Sequence, residues 1–170
     1  TAKGVSKRER ELLVRYDVRG DALINFRWFA GLRGALASID RVFAEGAESL
    51  PDAKNGLNIE GLAWDPMHSR LLIGFRNPRK KHDALVAWIT NPDAIFEHGV
   101  PAVLEGPVLL DLDGEGVRDV TYSPTLKGFL ILAGAWRHAP PPTPTRGPWT
   151  GDYQDQPLQH QPTPPRGPHP

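Results

Sequence analysis

Two stretches of the chain follow one pattern. Ile59-Glu60-Gly61-Leu62-Ala63-Trp64-Asp65-Pro66 leads, after a short polar gap, into Leu71-Leu72-Ile73-Gly74. Val117-Arg118-Asp119-Val120-Thr121-Tyr122-Ser123-Pro124 leads into Phe129-Leu130-Ile131-Leu132-Ala133-Gly134. Each reads as strand, proline turn, strand, glycine. Apolar stands against apolar, Trp64 against Tyr122 and Pro66 against Pro124. Such self-similarity restricts the fold strongly, because a unit of this kind buries its faces only by stacking on neighbours. Modular all-β arrays, propellers foremost, are built this way.

The rest of the chain fits around these units. Residues 12–18 and 22–29 read as strands. Leu36, Ile39, Val42 and Phe43 fall at helical spacing, which predicts one short amphipathic helix over residues 35–45. A polar loop over residues 46–57 is followed by strands at 59–64, 71–76, 84–89 and 108–112, and the pattern restarts at 117–122 and 128–133. Four strands and a restart are the content of one propeller blade. The strands are apolar on both faces, as suits a sheet covered on both sides. Pro66 and Pro124 sit just past strand ends, where a missing N–H breaks no ladder. The expected fold class is therefore all-β: a partial β-propeller of four-stranded repeat units with a short N-terminal helix and a disordered Pro-rich C-terminal tail. Trp64, Trp88, Ile73 and Ile131 are expected to be buried and Trp149 exposed.

Residues 1–136 form the expected incomplete propeller-like domain and residues 137–170 the tail. The tail is dense in Pro, Gln, His, Thr and Arg and almost free of aliphatic residues, so it lacks the apolar surface that offsets ordering entropy. Two readings stay open: an authentic disordered tail, or a stretch read out of frame from GC-rich DNA. The repeat halts after its second strand, which leaves open edges. A closed propeller needs about four to eight blades. One unit and half of another do not close a ring, so the chain is a fragment or assembles with something else.

Composition narrows the function classes. Lys and Arg number 20 and Asp and Glu number 20, so no net field draws in nucleic acid or an anionic membrane. The absence of cysteine removes disulfides, thiolate nucleophiles and Cys-ligated zinc. No apolar run approaches the roughly 20 residues of a membrane span. The N-terminal basic residues precede no apolar stretch of signal-peptide length. The compartment is left open.

The motif set 58–66, 71–78, 116–120 and 130–134 resembles an uncharacterised bacterial family, a domain of unknown function with a propeller-like repeat. The resemblance covers residues 12–134 and implies no established activity. More distantly, Glu60-Gly61 with Trp64-Asp65-Pro66 is similar to the opening motif of calcium-dependent lactonase propellers, the gluconolactonase and regucalcin group, and to the Glu-Gly-Leu-Ala of phytase-like esterases. In the lactonase group this glutamate binds the central metal. The resemblance therefore implies Glu60 as a metal ligand and Ca²⁺ as the cofactor such a site would take. The group's downstream Asn and Asp ligands find no clear match.

Several residues stand out by chemistry. Glu60 on the first strand of its unit would line a propeller's central channel, as a ligand-facing carboxylate or as an anchor to the neighbouring blade. Arg118 stands at the equivalent place in the second unit with Asp119 beside it, and opposite signs at equivalent places favour an inter-blade ion pair. Arg76 and Asn77 close a strand at the family motif, ahead of the basic run Arg79, Lys80, Lys81 and His82. That run is able to receive a phosphate or carboxylate, or is simply a solvated hairpin loop. Asp111-Leu112-Asp113-Gly114-Glu115-Gly116 resembles the front half of a calcium loop, but Tyr122 stands where the bidentate Glu belongs, which favours an acidic inter-blade loop. The chain has no nucleophile elbow, Walker loop or dinucleotide fingerprint. Its six histidines lack metal-ligand spacing. The function expected first is a ligand- or partner-binding propeller-type domain with candidate residues Glu60, Arg76, Asn77, Arg118 and Asp119. The alternative is a Ca²⁺-dependent hydrolase of lactonase or phosphoesterase type acting through Glu60.

Overall fold

Where β-branched, aromatic and other apolar residues concentrate, the backbone is extended and paired. A computed structural model of the chain describes residues 11–51 and 53–134. In chain order the elements are β1 (Leu13–Arg19), β2 (Ala22–Phe29), α1 (Leu32–Ile39), α2 (Arg41–Glu48), β3 (Asn58–Asp65), β4 (Arg70–Lys80), β5 (Asp83–Ile89), α3 (Pro92–His98), β6 (Leu104–Leu110), β7 (Gly116–Ser123) and β8 (Gly128–Gly134). The strands β3 to β6 pair in sequential order, each antiparallel to the next, as a four-stranded sheet. β1 with β2 and β7 with β8 form two-stranded sheets. Strand is the dominant element. The expectations for residues 137–170, Trp149 among them, lie outside the described residues.

The helical expectation needs correction. The single helix over residues 35–45 is two helices, because Asp40 adopts an extended backbone (φ −153°, ψ 143°) between them. Its carboxylate caps α2 by accepting from the Val42 amide at 2.8 Å, which satisfies a donor that the new helix leaves open. Nor do these helices lead the described chain, since the β1–β2 hairpin precedes them. A third helix, α3, was not foreseen. Its marks are Pro92 in the first turn and Gly99 closing it in the left-handed region (φ 64°), with the Gly99 amide donating to the Ile95 carbonyl. The strand expected over residues 108–112 runs instead from Leu104 to Leu110.

The two central strands of the four-stranded sheet, β4 and β5, are buried on both faces. One face contributes Ile73, Phe75, Leu85, Ala87 and Ile89 to a cluster with Leu36, Phe43 and Ile95 from the helices and Leu13 from β1. Phe43 and Phe75 meet with ring centroids 4.6 Å apart, so α2 is pinned to the sheet by two fully buried rings. The other face contributes Ala63, Leu72, Ala84 and Val86, which pack on Val117 and Val120 of β7, with Trp88, Phe129 and Ile131 at the margin. Ile73 is fully buried, and Trp88 and Ile131 are partly buried. Trp64 is the correction, at 42% exposed. β3 is an edge strand whose small residues Gly61 and Ala63 face β7, while Leu62 and Trp64 point to the opposite side. The helices that cover that side pack chiefly over β4 and β6.

At the end of β3 the Asp-Pro turn builds a buried polar knot. Asp65 is 3% exposed. Its Oδ1 accepts from the Met67 amide at 3.0 Å, and its Oδ2 meets Arg70 Nε at 3.0 Å and His68 Nδ1 at 2.9 Å. The Arg70 guanidinium lies 3.6 Å from the centroid of the Trp88 ring. Burial opposes ionisation of Asp65, but the hydrogen bonds from Arg70, His68 and the Met67 amide outweigh it and hold the carboxyl below its ordinary range. A depressed folded-state value stabilises the fold above the unfolded value of about 3.9, and that contribution fades as pH falls through the folded one. Thermal unfolding of wild type should therefore become more acid-sensitive than that of Asp65→Asn below about pH 4. Parallel pH profiles for the two proteins would show that Asp65 contributes nothing to acid stability.

Candidate functional site

Three irregularities in the ladders set up the site. Between β3 and β4 the pairs run Asn58↔Asn77, Ile59↔Phe75 and Gly61↔Gly74, so Arg76 and then Glu60 drop out of register. Between β7 and β8 they run Val117↔Ala133 and Asp119↔Leu132, so Arg118 drops out. A bulged residue leaves the regular alternation and its side chain is re-aimed. The three residues released in this way meet. Arg76 Nη1 donates to Glu60 Oε1 at 3.0 Å, and Arg118 Nη1 donates to Glu60 Oε2 at 2.9 Å. Asn58 Nδ2 approaches Glu60 Oε1 at 3.4 Å. The side chains of Arg76, Glu60 and Arg118 are 21%, 25% and 32% exposed, so solvent reaches the cluster without flooding it.

Glycines make the meeting geometrically accessible. A Cβ on Gly61 would stand 2.6 Å from Val120 Cγ2, and one on Gly74 2.5 Å from Val117 Cγ1. At Gly116 a Cβ would stand 2.2 Å from the Arg76 carbonyl oxygen. Without these side chains β7 lies directly on β3 and β4, and Arg118 comes within reach of a carboxylate 58 positions earlier. The Glu60–Arg118 pair thus ties two sheets together. Asn77 is fully buried, next to Arg76 along β4 and opposite Asn58 across the ladder; the Asn77–Pro78 peptide is cis. Asp119 is exposed, and its Oδ1 accepts from the Val120 amide at 2.8 Å.

Sequence reasoning placed Glu60 and Arg118 at equivalent positions but missed that Arg76 shares the same carboxylate. The signal lay in the hairpin itself: a register that pairs Gly61 with Gly74 brings residues 60 and 76 to one end of β3 and β4. The buried Asp65, with the exposed His68 and half-buried Arg70 around it, was also missed, although an Asp before the turn Pro66-Met67 is the ordinary mark of a side chain that caps a turn. The acidic stretch from Asp111 to Gly116 joins β6 to β7, with Asp111 Oδ1 accepting from the Asp113 amide at 3.2 Å. Among the described residues no group of three or more His, Asp or Glu gathers where a metal ion could be held. The basic run forms the tip of the β4–β5 hairpin, where Lys81 takes φ 61° and Lys80 Nζ reaches Asp40 at 3.5 Å.

The cluster is therefore a carboxylate with each oxygen engaged by a guanidinium, set at one end of two packed sheets. The family model described as "Protein of unknown function (DUF3616)" matches residues 31–138, a span that holds the whole cluster. The chain belongs to this family. The DUF3616 match begins just before α1, includes the four-stranded sheet and runs past the end of β8. No curated protein and no solved structure matched the chain. Among the described residues of this DUF3616 chain no helix is long and apolar enough to cross a membrane.

Proposed function

We propose that the chain is a propeller-type module that binds a ligand or partner, with Glu60, Arg76, Arg118 and Asp119 at its ligand-facing rim and the buried Asn77 supporting Arg76 from the next position of β4. Three features support the propeller reading. β3 to β6 form a four-stranded antiparallel meander, as a blade does. The segments around Glu60 and Arg118 each begin a new sheet, and each bulges at that residue. The second sheet packs face to face on the first through Gly61, Gly74, Val117 and Val120. The two segments then read as one repeated unit.

The observation that carries the binding reading is the engagement of Glu60 by two guanidinium groups. A carboxylate held in this way is an organising anchor, and two partly exposed arginines around it suit an anionic group such as a carboxylate or phosphate. The test is thermal unfolding of the full chain with phosphate or citrate against chloride at matched ionic strength. The polyvalent anions should raise the melting temperature in a saturating way, because a ligand bound only to the folded state stabilises it. Arg76→Ala and Arg118→Ala should each remove that shift. Glu60→Gln should cost about 1–2 kcal/mol of stability, since it leaves a charged hydrogen-bond partner weakened within a half-buried group. A chain indifferent to these anions, but stabilised by Ca²⁺ in a way that Glu60→Gln abolishes, would replace this reading with the lactonase-type hydrolase.

A further inference from the structure

The basic tip of the β4–β5 hairpin lies at the same end of the strands as the Glu60 cluster. β4 carries Arg76 into that cluster and reaches Arg79 three residues later, no more than about 10 Å along the chain. His82 follows in the turn before β5. At the tip, Lys80 reaches Asp40 and Lys81 is exposed. Arg79 and His82 turn instead toward the segment that joins β6 to β7. A Cβ on Gly114 would stand 3.8 Å from His82 Nδ1 and 4.0 Å from Arg79 Nη1, so an imidazole and a guanidinium converge on one point of that segment. Two residues further on, Gly116 lies against the backbone of Arg76, and Arg118 comes next on β7. One short stretch of chain thus borders two pairs of basic side chains, Arg76 with Arg118 and Arg79 with His82.

The two pairs differ in what they hold. Arg76 and Arg118 share the Glu60 carboxylate. Among the described residues the side chains of Arg79 and His82 make no hydrogen bond or ion pair, although Asp83, Asp111, Asp113 and Glu115 are near in sequence or on the same segment. Asp111 is turned onto the Asp113 amide. Arg79 is half-buried, and a guanidinium partly withdrawn from water forgoes its strongest bonds until an anion meets it. We propose that Arg79 and His82 are a second anion subsite, and that the ligand is an elongated dianion with a carboxylate or phosphate group at each end of a short chain. Arg76 and Arg118 hold one end, and Arg79 and His82 hold the other. The first end rests on the anion-binding reading above, and the second rests on the approach of Arg79 and His82 to Gly114. A single anionic group fills one subsite. A ligand of matching length fills both, and its second group binds at a high effective concentration.

Thermal unfolding of the full chain with the unbranched dicarboxylates from malonate to suberate tests it, against phosphate at matched ionic strength. In wild type the stabilisation should pass through a maximum at one chain length, where apparent affinity exceeds that for phosphate by about tenfold or more. Arg79→Gln and His82→Ala should each remove the maximum and leave the phosphate shift in place, while Arg79→Lys, which keeps the charge, should retain part of the maximum. His82 is exposed, so His82→Ala should remain folded, with circular dichroism as the check. A phosphate shift without any length dependence, or a maximum that survives Arg79→Gln and His82→Ala, would overturn this inference and leave the anion-binding reading standing. A wild-type chain that neither phosphate nor any dicarboxylate stabilises would overturn both.

Discussion

Replacing Gly116 by alanine should cost the domain about 3 kcal/mol, near the upper end of what overpacking a core produces. The atoms that the new Cβ would meet are the carbonyl oxygen, carbonyl carbon and Cα of Arg76, at 2.2, 2.9 and 3.0 Å. All three are backbone, so no rotamer change relieves the clash, and β7 has to lift away from β4. That displacement would loosen Val117 and Val120 in the inter-sheet cluster and draw Arg118 away from Glu60. Urea unfolding is the measurement, with the midpoint falling and the slope retained. Gly34→Ala is the natural control: it lies in α1 with nothing within 4 Å of its Cβ position, and alanine there should stabilise by up to about 1 kcal/mol. Equal stability of wild type and Gly116→Ala would mean that the two sheets do not approach as closely as this geometry requires.

Phe43→Ala should be at least as damaging, at about 3–5 kcal/mol, because it removes a fully buried ring and leaves a cavity that rigid neighbours only partly fill. Phe43 is the point at which α2 meets the sheet, with its ring tilted 38° against that of Phe75. Small domains have only about 5–15 kcal/mol of net stability, so this one truncation should remove a large share of it. The melting temperature should fall by about 10 °C or more. Phe43→Leu retains most of the volume and should cost less than half as much. If alanine and leucine proved equally mild, the helices would not be the structural cover of this sheet face.

The two substitutions probe opposite faces of one sheet, and those faces differ in how legible they were. Residues Leu36, Ile39, Val42 and Phe43 announced a helical apolar face by spacing alone, and that face packs against the sheet. The break at Asp40 was not announced, because an Asp within an amphipathic run is compatible with a solvated helix surface and becomes a cap only when the chain turns there. On the other face, Gly61, Gly74 and Gly116 were visible as letters, but their role depends on another strand lying within van der Waals distance. The expectation that Trp64 is buried failed for a related reason. Strand periodicity says which side chains share a face, and it does not say how far the covering layer extends.

The candidate site divides in the same way. The matched segments put Glu60 and Arg118 in equivalent places with opposite charges, and the two pair where β7 packs on β3 and a bulge in each strand releases them. Arg76 entered only through the bulges, which shift register by a residue and re-aim the side chains they release. By itself the sequence determined most of the strands and the proline turns that follow β3 and β7, since these depend on local β preference and turn chemistry. The tertiary structure decided the approach of β7 to β3 and β4, the three bulges and the engagement of one carboxylate by two guanidiniums. Those features arise from contacts between residues far apart in the chain, whose close packing no local pattern encodes.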